Sequence, residues 1–394
     1  MYAFVEIKIE PLSCGSPTFG EKTRSKRAGA AITYKEYIEW IVDCTRPSPR
    51  ARSYRGTLPD FQIYICSAGK YILWALEGNK VSAERLNRLS ESGNSEVFIS
   101  LDEEFKYERH LEANLGTILE DKYSSNDDKA SIFSSVSTNV VRDAFEKSLG
   151  LGTMDLDTIH RTQSMVESAL AFIAESKSLQ ALAKMIGHDY QTYEHATKVL
   201  WFTVAFLRHN PDIMEQIKPG YEAFDEKQQM EILKECGVGA LLHDIGKAFV
   251  SLEIISKNEP LTAVEWEIVK RHPLTSLAML IDADLPQFVR KGIAHHHEDF
   301  NGGGYPMGLE GHNISTLARV LRIVDVFEAM TSRRQYKAPM PAMKAVMIMI
   351  GKPADKAGVK KARRDDRDQG MKWCFDEELL QKFIVFLGDV KLDR

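Results

Sequence analysis

The sequence lacks any long apolar run. No window approaches the roughly 18 consecutive apolar residues of a membrane-crossing helix, although 44% of its 394 residues are hydrophobic. Its five cysteines, Cys14, Cys44, Cys66, Cys236 and Cys374, are scattered without CxxC spacing, which argues against a disulfide framework or a zinc knuckle. Charge of one sign is lacking too: with 51 basic and 56 acidic residues the net charge is only −5, so neither a nucleic-acid footprint nor an acidic tail follows. The opening Met-Tyr-Ala-Phe-Val-Glu-Ile-Lys-Ile-Glu alternates like a strand, without the charged-then-apolar layout of a secretory leader. These absences lead to the expectation of a soluble cytoplasmic protein with no membrane span and no nucleic-acid polymer as partner.

What is present divides into unlike portions, as a chain of this length leads one to expect. Residues 2–9, 61–66, 71–76 and 96–100 have the pattern of short strands, Ser67-Ala-Gly-Lys marks a turn, and 82–89 has helical spacing. Tyr64, Tyr71, Trp74 and Phe98 fall within these strands and read as core. Residues 13–55 contain loop segments rich in Gly, Ser, Pro and Arg, and their basic run Lys22, Arg24, Lys26 and Arg27 reads as a solvated loop. Helical patterns follow at 103–121, 128–148 and 156–176. Beyond Asp189 the chain reads as helices broken at Asn210-Pro-Asp, His272-Pro, Leu285-Pro and Asn301-Gly-Gly-Gly-Tyr-Pro. Residues 351–370 mix both charges as an exposed loop, and 376–387 form a closing helix. The expectation is an α+β protein: a small N-terminal α/β module (1–125), a helical linker that offers a homodimer face (126–188) and an all-α domain (189–394).

The chemistry concentrates in the last portion. Leu241-Leu-His-Asp-Ile-Gly-Lys sets His243 beside Asp244 at the end of an apolar stretch. Alone this pair is compatible with a helix cap or a surface hydrogen bond. Yet seven of the eleven histidines lie between His195 and His297, including His272 and the triplet His295, His296, His297. Core packing explains such clustering poorly, because each buried imidazole needs its own partner. Imidazole and carboxylate together suit zinc, iron, manganese and nickel. Asp325 adds an acid to an otherwise apolar helical face, where a carboxylate is costly unless paired or metal-bound.

Taken in order, His195, His243-Asp244, His272, His296-His297-Glu298, Gly302-Gly-Gly-Tyr-Pro and Asp325 resemble the motif series of the HD-GYP phosphodiesterases, a bacterial branch of the HD metal-dependent phosphohydrolases. The resemblance spans roughly residues 189–387 and takes in Ile-Ile-Ser-Lys-Asn-Glu-Pro-Leu-Thr and Lys270-Arg-His-Pro. It implies an HD-type helical catalytic domain behind a regulatory or sensory module. It also implies a site in which Asp244 bridges two divalent transition metals, iron or manganese by preference, with nickel and zinc admitted. His195, His243 and Asp325 would complete one coordination sphere, and His272, His296 and His297 the other. Consecutive helical residues diverge by about 100°, so His296 and His297 can share an ion only at a helix end. The family's spacing leaves His295 as a spare, in an outer-shell or surface position.

The resemblance further implies a catalytic pair in Asp244 and Lys247. Lys247, Arg334 and Lys337 would contact substrate phosphate, Gly304 and Tyr305 would line the pocket, and Arg333 would point outward. The implied reaction is hydrolysis of cyclic di-GMP to pGpG and on to GMP, by hydroxide activated between two metals, in a bacterial signalling setting with signalling proteins as partners. Two alternatives stay open: a cyclic-dinucleotide receptor or adaptor with little turnover, and a hydrolase of another cyclic dinucleotide. The sequence departs from common family patterns at Gln191, where a glutamate supports a third metal in some relatives, and at Asn301, Glu328 and Gln335. None of these removes a ligand of the two-metal set.

Overall fold

The computed structural model describes residues 45–48, 60–67, 70–76, 78, 97–121, 125–174, 192–257, 259–332, 339–351 and 371–390. The expected strand at 2–9, the helix at 82–89 and the charged loop at 352–370 lie outside the described residues, as do Gln191, Arg333, Arg334, Gln335 and Lys337. The chain forms two compact units, residues 1–114 with 122–124, and residues 115–121 with 125–394.

Among its described residues the first unit has four strands, β1 (Thr45–Ser48), β2 (Ile63–Ser67), β3 (Lys70–Ala75) and β4 (Val97–Ser100), in the order β1-β4-β2-β3 and antiparallel throughout. Helix α1 (Glu104–Ala113) follows. Strand β1 falls within 13–55, where the sequence showed loop segments and no strand was expected; Pro47, which has no N–H to donate, is accommodated because β1 is an edge strand. The buried centre is Phe61, Ile63, Ala75 and Ile99, with Ile65, Trp74 and Tyr107 packed against it. Of the aromatic strand residues expected in the core, Trp74 packs against this centre, and Tyr64 and Phe98 are half-buried.

The second unit is helical. Its elements are α2 (Leu115–Glu120), α3 (Asn126–Leu151), α4 (Leu156–Ala174), α5 (Thr192–His209), α6 (Pro211–Ile217), α7 (Glu226–Leu242), α8 (Leu252–Ile255), α9 (Ala263–Val269), α10 (His272–Met279), α11 (Gln287–His295), α12 (Thr316–Thr331), α13 (Ala342–Met349) and α14 (Glu377–Val390). Local chemistry sets many of these boundaries. Ser125 caps α3, and Gly152 in a left-handed conformation ends it. Asp225 and Gln228 form a capping box on α7. Pro211 opens α6 immediately after Asn210, at the break the sequence predicts. Helices α3 and α4, in the stretch expected as a linker, pack within this unit against α5 and α7.

Helix α5 lies at the centre, in contact with α3, α4, α7 and α12. Its Trp201, Phe202 and Phe206 are buried and join Phe327 of α12 with Phe383 and Phe386 of α14 in an aromatic cluster, edge-to-face among Phe202, Phe206, Phe327 and Phe383 at centroid separations of 5.2–6.4 Å, with Trp201 tilted on Phe202 at 4.3 Å. A buried ion pair from Arg319 to Asp376 fastens α12 to α14; the Asp376 carboxylate also accepts from the Glu378 and Leu379 amides. This core holds α5 and α12 rigidly, and both carry site residues. No helix among the described residues is long and apolar enough to cross a membrane.

Candidate metal centre and its cavity

The seven residues singled out as ligands meet in the second unit, most of them at helix ends. His243 ends α7, with Asp244 next to it; His272 opens α10; His296 ends α11, with His297 beyond it. His195 lies on α5 and Asp325 on α12. Two clusters result: Asp244 with His272, His296 and His297, and His195 with His243 and Asp325. Within each, one donor atom per residue lies within 4.8 Å of all the others. Because α11 stops at His295, His296 and His297 escape the helical divergence, and their rings lie 4.2 Å apart.

Asp244 faces both clusters, one oxygen to each. Its Oδ2 is 3.3 Å from His243 Nε2 and 3.7 Å from His195 Nε2, whereas Oδ1 is 3.0 Å from His272 Nε2 and 3.6 Å from His296 Nε2. Asp325 Oδ1 is 3.1 Å from His195 Nε2, and Oδ2 is 3.9 Å from His297 Nδ1.

The outward nitrogens of four rings are engaged elsewhere. Nδ1–H of His243, His272 and His296 donates to the carbonyl three residues earlier, Ala240, Val269 and Ile293, at 2.6–2.7 Å. His195 Nδ1 meets Glu328 Oε2 at 2.5 Å. These contacts set the tautomer and leave Nε2 with a lone pair directed inward. Lone pairs then oppose one another: His272 and His296 Nε2 are 3.2 Å apart, and His195 Nε2 faces carboxylate oxygens. His243 Nε2 and Asp244 Oδ1 are buried without a hydrogen-bond partner. Such an arrangement is unfavourable unless cations lie between the donors, so the donor set fits a dinuclear metal centre.

Charge and burial prepare the same atoms. Burial alone would raise the Asp244 carboxyl, but the Lys247 ammonium beside it and neighbouring His243 outweigh burial and hold it well below the usual carboxylate range. Burial also raises Asp325, and adjacent His195 reverses that. The imidazoles of His272, His296 and His297 are pushed down by burial, His296 to about 4. The carboxylates are therefore ionised and these rings neutral, as metal ligation requires.

Further residues hold the ligands in place; the sequence marked Glu328 as a departure from the family pattern and assigned the others no role. Glu328, one turn beyond Asp325, is buried; it carries His195 and is itself bonded to Ser332, with Lys198 3.8 Å away. Ser276 Oγ accepts from Gly246 N and donates to His243 O, both at 2.8 Å, tying α10 to the turn that bears Asp244. Gly246 permits that approach, since a Cβ there would lie 2.3 Å from His272 O. Arg322 donates to Asp299 and lies 3.4 Å from His297 Nδ1. Glu298 is no part of either cluster: its two oxygens accept from Met307 N and Leu309 N, so it braces the glycine-rich loop. The signal for these residues was their sequence proximity to ligands, which says nothing of direction. His295 is 8% exposed, outside both clusters and not a surface residue.

A cavity of about 770 Å³ opens over the clusters, lined by His195, Lys247, His272, His297, Tyr305 and Asp325 among others. Lys247 contacts Asp244 and reaches this cavity. Tyr305 stacks on His297 at 4.8 Å and 28°, and burial raises its phenol pKa, so it remains an O–H donor. Gly304 is where the loop presses on the backbone: a Cβ would lie 2.1 Å from Asp299 N.

Residues 222–357 match the family model described as HD domain. Over 195 residues the chain is 33% identical to the cyclic di-GMP phosphodiesterase PA4108 of Pseudomonas aeruginosa, covering 49% of this chain and 43% of that protein. Over 110 residues it is 38% identical to the 3′3′-cGAMP-specific phosphodiesterase 3 of Vibrio cholerae, covering 28% of this chain and 24% of that one. The chain thus matches less than half the length of these curated relatives. Its fold is similar to that of Bd1817, an HDG"Y"P protein from Bdellovibrio bacteriovorus, with a TM-score of 0.55 and 20% identity over 87% of this chain and 99% of that one.

Proposed function

We propose that this chain, which belongs to the HD-domain family over residues 222–357, is a metal-dependent phosphodiesterase that hydrolyses cyclic di-GMP to linear pGpG. The observation that carries the reading is the division of the Asp244 carboxylate, with Oδ2 toward His195 and His243 and Oδ1 toward His272 and His296. A carboxylate has two oxygens and can serve two cations, whereas a ring nitrogen serves one. Relatives named for cyclic di-GMP and for 3′3′-cGAMP support the substrate class.

In this reading His195, His243 and Asp325 hold one divalent cation, His272, His296 and His297 hold a second, and Asp244 joins them. Nitrogen and oxygen donors without thiolate suit iron or manganese, and equally nickel or zinc. Bound cations of this kind lower the pKa of water and offset charge on phosphate oxygens. The remaining steps belong to the chain itself. Lys247 places a point charge at the cavity floor beside Asp244, where a phosphate oxygen would rest. The Tyr305 ring fixes the face of His297, and its protonated hydroxyl offers a hydrogen bond to substrate. Asp299 and Arg322 keep His297 from turning away. Arg334 and Lys337 remain proposed phosphate ligands, supported by the family resemblance alone.

Incubation of iron- or manganese-loaded protein with cyclic di-GMP and, side by side, with 3′3′-cGAMP tests the proposal by product chromatography. Linear pGpG is the expected product, and any GMP would show a second cleavage. A metal-loaded protein that leaves cyclic di-GMP intact contradicts the reading.

A further inference from the structure

Helix α9 buries none of its seven residues. A helix of that length does not persist by itself in water, yet polar contacts secure this one. Thr262 Oγ1 accepts from Glu265 N, Glu265 Oε2 accepts from Thr262 N, and Lys257 Nζ donates to both Glu265 oxygens at 2.7 and 2.8 Å. The helix is thus fixed without adding to the core. It contributes Trp266 and Val269 to the cavity, and Trp266 lines the wall beside Pro260 and Leu261.

Trp266 is 44% exposed, unusual for a side chain that is highly buried on average. Its ring stands edge-on to Tyr305 at 5.9 Å and 79°, and Tyr305 in turn stacks on His297. Three rings therefore run outward from the histidine clusters along one wall. A phosphodiester held at Lys247 would leave its nucleoside in this same cavity, whose volume of about 770 Å³ lies within the range of small-molecule sites.

Resting on the phosphodiesterase reading above, we propose that Trp266 is the platform on which one nucleobase of the cyclic dinucleotide stacks. Stacking recruits the π-face that every base has, so this contact supplies affinity without choosing between guanine and adenine. Trp266 is a specificity residue for the nucleotide class and takes no part in the chemistry.

Steady-state kinetics of Trp266→Ala and Trp266→Phe on cyclic di-GMP, with metal content measured on the same preparations, test this. Trp266→Ala is expected to raise KM about 5- to 150-fold, the equivalent of about 1–3 kcal/mol per stacked base, while kcat and metal content stay near wild type; Trp266→Phe retains most of the affinity. Addition of cyclic di-GMP should quench tryptophan fluorescence in the wild type and not in Trp266→Phe, a readout that stands if Trp266→Ala does not fold. Wild-type turnover with an unchanged KM in Trp266→Ala, or quenching retained in Trp266→Phe, overturns the stacking role alone. An inert wild-type enzyme overturns the phosphodiesterase reading and the platform with it.

Discussion

Three of the site histidines are oriented by one device: His243, His272 and His296 each donate Nδ1–H to the carbonyl three residues back. His195, in the first turn of α5, relies instead on Glu328. Removing that support by Glu328→Ala should weaken metal binding about 10- to 100-fold; Glu328→Gln, whose amide oxygen can still accept from Nδ1–H, should lose less. Metal titration of the two variants checks the order. Asp244→Ala removes the carboxylate whose oxygens lie 3.0–3.7 Å from four histidines of the two clusters and should abolish turnover along with metal retention. A pH dependence follows from burial of His272, His296 and His297, which lowers their pKa values, His296 to about 4. Unfolded, each ring takes up a proton near the ordinary value of about 6.5, so below that pH the unfolded state binds more protons than the folded one. Stability of the metal-free protein should be complete above about pH 6.5 and decline as the pH falls toward 4, by up to tenfold in the unfolding equilibrium per pH unit for each such ring. Thermal melts of metal-free protein across that interval measure it. The ligands themselves were legible in the sequence because their types and order are distinctive. Ser276 and Arg322 were not, because support depends on where a side chain points, and Glu328 stood out only as a departure from the family pattern.

At the scale of elements, the site is assembled from helix ends, where the chain can turn a side chain inward and still complete its backbone hydrogen bonds. The proline after His272 marks one of these ends openly, and the structure begins α10 there. Strand β1 was hidden in a loop-like composition, since pairing with β4 rather than local propensity makes it a strand. The sequence likewise gave no sign that α9 would be clamped by Lys257 eight residues before Glu265. The close approach of α10 to the Asp244 turn predicts that Gly246→Ala, whose new methyl would meet His272 O, destabilises the protein by about 1–3 kcal/mol. Loss of Asp376 should cost more. Asp376→Ala leaves Arg319 buried and unpaired and uncaps α14, a change of about 3–5 kcal/mol. Denaturant titration of the two variants measures both, and an Asp376→Ala midpoint equal to wild type would contradict the role given to that ion pair.

For the molecule as a whole, the helical class of the second unit was readable because its apolar periodicity is long and repeated, and the antiparallel pairing of the first was not, because it depends on contacts between distant strands. The functional account concerns the second unit, where α5, α7, α10, α11 and α12 converge on Asp244. Its central claim is that one carboxylate joins two metals in a phosphodiesterase. The most direct test is elemental analysis and product chromatography on a single preparation of wild type and Asp244→Ala given cyclic di-GMP. The account predicts two metal ions per chain and linear pGpG for the wild type, with both lost in the variant. Full metal content and undiminished turnover in Asp244→Ala would contradict it.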